Sequence, residues 1–348
     1  MATAEFPVTP EKEASVLNFF YRQLTFTPSE VKGVSLAGKT AIVTGSNTGV
    51  GLECSRQLLD LGISKLILAV RNEAKGQAAV ANLSARRELA EDAIEVWRMD
   101  LSSYKSITSF VERTKSLDRI DIVILNAGIA PLKQERNAET GHDEVIQVNY
   151  LSTALLTILL LPVLKSKRPN QDQPSRITFT SSDAAAWTSF NERAESPLLA
   201  SFDKPDKADM TDRYFVSKLL AQFFLTEIAK HVPTSVAVMN AATPGMCHDS
   251  ELNRELDQTI KGKVAKIAMR RVGYSTAVGA RMVTDAAVNH GDETHGHYLG
   301  LQRIKPMAPV IYTPEGKQIS DLLWKETMAE LDFAGVEQTL KVVGNVSS

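Results

Sequence analysis

Cysteine is scarce in this chain: Cys54 and Cys247 are the only two in 348 residues. They stand too far apart in sequence for a zinc knuckle or a redox pair, and the pair fits a reducing compartment. Cys54 falls in an expected helix beside a glycine-rich turn, where a small buried thiol is the plain reading. An excess of charge is missing too. The formal net charge is −2, which gives nucleic acid or an anionic membrane little to bind. The N-terminus has no basic segment ahead of a long apolar run, so no secretory signal is read there.

Long apolar runs are also lacking; a membrane span needs roughly 18–20 residues. The nearest run, residues 150–164, is interrupted by Ser152, Thr153 and Thr157 and carries Pro162 near its end. It reads as a core helix. A soluble cytoplasmic protein is expected, with membrane association disfavoured. Internal repeats and low-complexity tracts are absent.

What the chain does have is alternation. Residues 1–35 form an arm punctuated by Pro7, Pro10 and Pro28, and Val16, Leu17, Phe19, Phe20, Leu24 and Phe26 suggest a short helix packed on the domain. Apolar runs at residues 40–44, 66–70, 94–99, 120–125, 176–181, 235–240 and 298–301 read as strands. Helices are expected after the first strand and over residues 75–89, 103–117, 140–164, 213–230 and 275–289. Such alternation implies βαβ units with right-handed crossovers, and hence a doubly wound α/β domain with a mostly parallel seven-stranded sheet. Residues 36–302 would form this domain and 303–348 a C-terminal extension. Two segments break the rhythm, residues 183–212 and 246–274, and connections of that length are commonly lids. Their apolar members Trp187, Phe190, Leu198, Leu199, Phe202 and Met269 suggest pocket walls for a bulky apolar molecule.

The stretch Thr44-Gly45-Ser46-Asn47-Thr48-Gly49-Val50-Gly51 lies where the first strand meets its helix. Glycines there allow a tight turn and close approach of backbone N–H groups to a pyrophosphate, while the helix N-terminus faces the phosphates. Placed after Ala41-Ile42-Val43, it is a strong dinucleotide signal. The second strand ends in Ala69-Val70-Arg71-Asn72, with no acidic residue for a ribose 2′-hydroxyl. A guanidinium suits a 2′-phosphate, so Arg71 favours NADP(H). Asp100 and Leu101, after the third strand, would reach the adenine. Tyr214 and Lys218 are four residues apart on one helix face, where an ammonium can lower a phenol's pKa.

Taken in order, Thr44 to Gly51, Asn126-Ala127-Gly128, Asn149, Ser182, Tyr214 with Lys218, and Pro244-Gly245 resemble the short-chain dehydrogenases/reductases across residues 36–301. The arm, Arg71 and the long inserts look most similar to the retinol-dehydrogenase-like branch and its fungal secondary-metabolism relatives. The resemblance implies a single Rossmann-type domain and hydride transfer between nicotinamide and a ketone, aldehyde or secondary alcohol, for instance a secondary metabolite. It makes Tyr214 the general acid, with Lys218 lowering its pKa and bonding the ribose. Ser182 would hold the substrate oxygen, chosen over Ser181 as the second of the pair, and Asn149 a water. Asn126, Ala127 and Gly128 would support sheet and cofactor. After Pro244 and Gly245 the usual threonine is replaced by Met246-Cys247-His248-Asp249-Ser250, leaving the backbone near Met246 for the carboxamide.

His248 reads as a solvated loop residue, and His295-Gly296-His297 as a turn without metal. Family members commonly pair through their fourth and fifth helices, a surface the arm could cover, so a homo-oligomer stays open. Two other readings keep the fold: a non-redox isomerase or cyclase, and a non-catalytic nucleotide-binding module.

Overall fold

The computed structural model describes residues 6–204, 208–255 and 258–344. Its main strands are β1 (Thr40–Thr44), β2 (Lys65–Val70), β3 (Ile94–Arg98), β4 (Ile122–Leu125), β5 (Ser175–Thr180) and β6 (Ala237–Ala242). A two-residue pair follows, β7 (Cys247–His248) with β8 (Tyr274–Ser275), and then β9 (His297–Gly300) and β10 (Arg303–Lys305). The large sheet runs β10-β9-β6-β5-β4-β1-β2-β3, and every pair is parallel except β9 with β10. The doubly wound Rossmann-type architecture is therefore as expected. Seven parallel strands carry one added antiparallel edge, so the sheet continues past residue 302.

Helices cover both faces, which is why β1 and β2 are nearly continuous apolar runs. On one face the Gly49–Asp60 and Thr276–Val288 helices enclose Val43, Leu58, Leu68 and Val283. On the other, the Tyr104–Thr114, Ser152–Lys167 and Met210–His231 helices bury Leu155, Ile177 and Phe223.

The expected 140–164 helix differs in shape. It starts at Glu144, where Asp143 Oδ1 accepts from the N–H groups of Val145 at 3.0 Å and Ile146 at 3.3 Å. A π-helical turn, Gln147–Leu151, precedes the regular Ser152–Lys167 segment. Residues 144–170 are long and apolar enough to cross a membrane by composition, but 83% of the most apolar window is buried within the fold. It is a core helix.

The segments outside the alternation are tied into the domain. The Pro314–Glu330 helix docks on the core through Tyr150 Oη and Thr327 Oγ1, 2.6 Å apart. Glu326 accepts the backbone N–H groups of Leu198 at 2.8 Å and Leu199 at 2.7 Å, capping the short Leu198–Ser201 helix. Phe190, Leu198, Leu199 and Phe202 are thereby buried in the main core. The expectation that these four line a substrate pocket is corrected: burial against the domain, not ligand contact, accounts for them. Only Trp187 and Met269 of that set keep part of their surface open.

His142 fastens these parts together, with Nδ1 2.8 Å from Asp203 Oδ2 and Nε2 3.2 Å from Glu330 Oε1. The two carboxylates, Asp203 first, raise its pKa from 6.5 to about 9. A raised folded-state pKa gives stability that is complete below the unfolded value and disappears as pH climbs through the folded one. His142→Gln is therefore expected to cost about 1–3 kcal/mol at pH near 6. The gap between variant and parent should close between pH 6.5 and about 9 in a series of thermal melts.

Candidate active site

Thr44, the last residue of β1, organises the cofactor side. Its Oγ1 accepts from the backbone N–H groups of Asn126 at 2.9 Å and Ala127 at 3.0 Å. Asn126 Nδ2 returns two bonds, to Thr44 O at 3.1 Å and Gly45 O at 3.2 Å. These bonds staple the carboxyl ends of β1 and β4 together. Asn126 and Ala127 thus act on the sheet and the turn, as their sequence position suggested.

The glycine turn is built for close approach. Gly45 has φ +63°, and an added Cβ would stand 2.9 Å from Ala127 Cα. At Gly51 an added Cβ would be 2.4 Å from Asn126 Nδ2 and 2.5 Å from Gly45 O. Ser46 Oγ is buried and finds no hydrogen-bond partner among the described residues. Thr48 is the N-cap position of the Gly49–Asp60 helix, whose first turn includes Val50 and contains no acidic residue to oppose an anion. Asn47 lies within the same turn. This open, donor-rich cradle fits a pyrophosphate.

Arg71 follows β2 directly and is exposed. The neighbouring Asn72 caps the Glu73–Ser84 helix by accepting from Lys75 N at 3.0 Å. Asp100 holds its own loop, Oδ1 accepting from Ser102 N at 3.0 Å, and Leu101 is buried with its carbonyl accepting from Ser152 Oγ at 2.5 Å. The residues therefore fit a dinucleotide along the carboxyl ends of β1 to β3.

On the catalytic side the Met210–His231 helix brings Tyr214 and Lys218 to the end of β5. Lys218 Nζ donates to Thr180 O at 3.0 Å and lies 5.7 Å from the centroid of the Tyr214 ring. Ser182 lies beside the Tyr214 phenol, close enough to favour its ionised form, and its Oγ accepts from Ala184 N at 3.2 Å. Ser181 points elsewhere: it is buried, and its Oγ accepts from Gln222 Nε2 at 3.4 Å. Strand alternation separates the two serines as the pleat requires.

Burial pushes the Tyr214 phenol up to about 12, with the nearby Ser182 opposing it. Burial also draws the Lys218 ammonium down to about 8. In the protein alone the phenol is held protonated at neutral pH, beside a cation that desolvation has made easier to discharge.

Asn149 sits in the π turn, a feature that recurs at functional sites. Its side chain is fully engaged: Oδ1 accepts from Ile129 N at 2.8 Å, and Nδ2 donates to Ile129 O at 2.9 Å and Ser217 Oγ at 3.0 Å. Gly128 leaves room between them, since an added Cβ would stand 3.1 Å from Asn149 Oδ1 and 3.7 Å from Lys218 Nζ.

Beyond β6, Gly245 has φ +68°. Met246, expected to offer its backbone to a carboxamide, already spends it. Its N–H donates to Gln23 Oε1 at 3.1 Å, and its carbonyl accepts from Gln23 Nε2 at 3.2 Å and Tyr274 N at 2.9 Å. Pro244 O accepts from Cys247 Sγ at 3.4 Å. His248 Nδ1 is 2.6 Å from Asp249 Oδ2, and His295 spends both ring nitrogens on the backbone, at Met239 N and Ala229 O. Sequence reasoning missed Thr44, Thr180, Asp183 and Gln23. Thr44 stood inside the quoted motif, whereas the other three act through contacts that no local pattern announces.

Comparison with known proteins agrees with this geometry. Residues 39–194 match the family model described as short chain dehydrogenase. The chain is 46% identical over 341 residues to the short-chain dehydrogenase fogG of Aspergillus ruber, covering 96% of this chain and 97% of that one. It is 42% identical over 320 residues to the short chain dehydrogenase/reductase mfmJ of Annulohypoxylon moriforme, covering 91% and 92%. A short chain dehydrogenase from Escherichia coli CFT073, solved in complex with NADPH, superposes with a TM-score of 0.57 at 19% identity, covering 78% of this chain and 100% of that one. The chain belongs to the short-chain dehydrogenase/reductase family. It is an oxidoreductase of the nicotinamide-dependent kind, acting on small molecules.

The staple at Thr44 gives a direct test. Thr44→Val removes the acceptor for two backbone N–H groups and should cost about 1–3 kcal/mol per group left unpaired. Chemical denaturation is expected to show the loss, with dinucleotide affinity falling in the same variant because the turn is no longer held open.

Proposed function

We propose that the protein is an NADP(H)-dependent oxidoreductase that interconverts a ketone or aldehyde with a secondary or primary alcohol. The observation that carries this reading is the placement of Tyr214 beside Ser182 with Lys218 one helical turn on, at the carboxyl ends of the strands where the glycine turn also lies. When bound, NADPH supplies a hydride from nicotinamide C4.

Tyr214 gives its phenolic proton to the carbonyl oxygen of the substrate, and its protonated state in the free protein suits the reducing direction. Ser182 donates to the same oxygen as negative charge develops on it, a fixed dipole placed ahead of the reaction. Lys218 would hold the nicotinamide ribose and, while charged, would stabilise the phenolate left behind. Its pKa of about 8 ties this service to solution pH. Asn149 has no amide hydrogen left to give, so its part is to fix Ile129 and Ser217 around Lys218. Arg71 would pair with the 2′-phosphate, and Asp100 and Leu101 would border the adenine. An apolar body on the substrate is supported by the aromatic run beside the phenol: Phe215 lies 6.2 Å from Tyr214 and 6.1 Å from Trp187, ring to ring.

Two measurements test the reading. With a confirmed carbonyl substrate, Tyr214→Phe should lower turnover at the nicotinamide absorbance band by about 10²–10⁴-fold. Conversion of substrate that continues without nicotinamide consumption would overturn the redox reading. Arg71→Ala should weaken NADPH by roughly 10–100-fold while leaving NADH nearly unchanged, as loss of a charge-assisted phosphate contact requires. Equal losses for both cofactors would remove Arg71 from the 2′-phosphate.

A further inference from the structure

Gln23 belongs to the arm, on the Val16–Thr25 helix, and lies 223 residues away in sequence from the backbone it binds. It is 5% exposed, and its amide meets Met246 as a neighbouring strand would, accepting from the N–H at 3.1 Å and donating to the carbonyl at 3.2 Å. Only this amide orientation satisfies both partners, since the flipped one sets donor against donor and acceptor against acceptor. The contact is close. A Cβ on Gly245 would stand 2.8 Å from Gln23 Oε1 and 3.1 Å from Tyr274 Cε2. The strand it completes is weak alone, because β7 and β8 pair over two residues each.

The same helix also reaches the catalytic serine's neighbour. Arg22 Nη2 is 3.6 Å from Asp183 Oδ1, and Asp183 Oδ2 accepts from Thr243 Oγ1 at 2.8 Å. Arg22 is anchored by Glu13 at 3.1 Å, and Glu13 in turn pairs with Lys305 of β10 at 2.7 Å. Trp187 Nε1 donates to Ala14 O at 2.9 Å, and its ring meets Phe19 edge-on at 4.9 Å. Tyr274 Oη donates to Phe26 O at 2.5 Å at the far end of the arm. One short helix thus touches the residue after Ser182 and the residue after Gly245. Those two positions flank the place where substrate and nicotinamide would meet.

We infer that Gln23 is a positioning residue of the active site: its amide fixes the chain after Pro244-Gly245 and so places the floor under the nicotinamide half of the cofactor. The inference rests on the oxidoreductase reading above. It predicts a defect confined to that half. Gln23→Met, similar in length and unable to hydrogen-bond, is made in the full chain and assayed with NADPH and with 2′,5′-ADP, which lacks the nicotinamide half. NADPH affinity and kcat should fall about tenfold, as loss of two buried hydrogen bonds implies, with 2′,5′-ADP affinity kept within about twofold.

Gln23→Glu, which keeps the acceptor and sets a carboxylate against the Met246 carbonyl, should show the same selective loss and serves as the readout if the methionine variant does not fold. NADPH affinity and kcat near those of the parent overturn the inference. So does an equal loss of both ligands, which marks a merely structural arm. A parent chain that binds neither ligand overturns the oxidoreductase reading and this inference with it. A parent that turns over NADPH beside an unaffected Gln23 variant overturns the inference alone.

Discussion

Parallel strands offer their carboxyl ends as a row of backbone groups, and something must hold that row open if a ligand is to lie along it. Here the holding is done between Thr44 and Asn126, where four hydrogen bonds join the ends of β1 and β4. These two strands are neighbours at the point where the order of the sheet reverses, and chains leaving them turn to opposite faces. A crevice opens there by topology alone. The staple fixes its width, presses Asn126 against Gly51 so closely that no side chain fits, and leaves Ser46 Oγ buried with no hydrogen-bond partner among the described residues. Both the phosphate cradle and the entrance to the catalytic side depend on it.

The catalytic side is governed by the cost of burying a cation. Lys218 is 8% exposed and donates a hydrogen bond to Thr180 O. An ammonium so poorly solvated loses its proton more readily, with the Thr180 carbonyl as the acceptor beside it. The π turn serves this end by setting Asn149 against Ile129 and Ser217, while Gly128 adds no side chain between. The tyrosine experiences the same burial with the opposite sign. Desolvation keeps the phenol neutral and the lysine easily discharged, so a bound anionic cofactor would shift the pair in the direction that chemistry needs.

Much of this was legible in the sequence, for physical reasons. Strands covered on both faces must be apolar throughout, so β1, β2 and β4 stood out as runs. A pleated strand sends Ser181 and Ser182 to opposite sides, but only the family resemblance chose Ser182 between them. The parts that escaped depend on distant contacts. β10 is Arg303-Ile304-Lys305, which looks like loop until Glu13 is placed beside Lys305. The π turn has no compositional mark. Phe190, Leu198, Leu199 and Phe202 looked like pocket walls because a segment's apolar content does not say what it faces. Glu326, on a helix more than a hundred residues later, draws Leu198 and Leu199 into the core.

The arm shows why such distant contacts matter for chemistry as well as for stability. A Rossmann-type sheet places its strand ends well but leaves the connections beyond them to fend for themselves, and β7 with β8 is too short to be rigid. Geometry at a hydride-transfer centre tolerates little error, because a displacement of about 1 Å can cost 10²-fold in rate. An amide that imitates a missing strand is an economical remedy, since it meets both the donor and the acceptor of Met246 with one side chain. The buried Glu13–Arg22–Asp183 chain then makes the arm's position depend on charge compensation as well as apolar contact. Removing one charge would strand the others in a poorly solvated place, so the arm cannot drift by small steps. A segment that alternation left outside the domain is thereby made part of the catalytic frame.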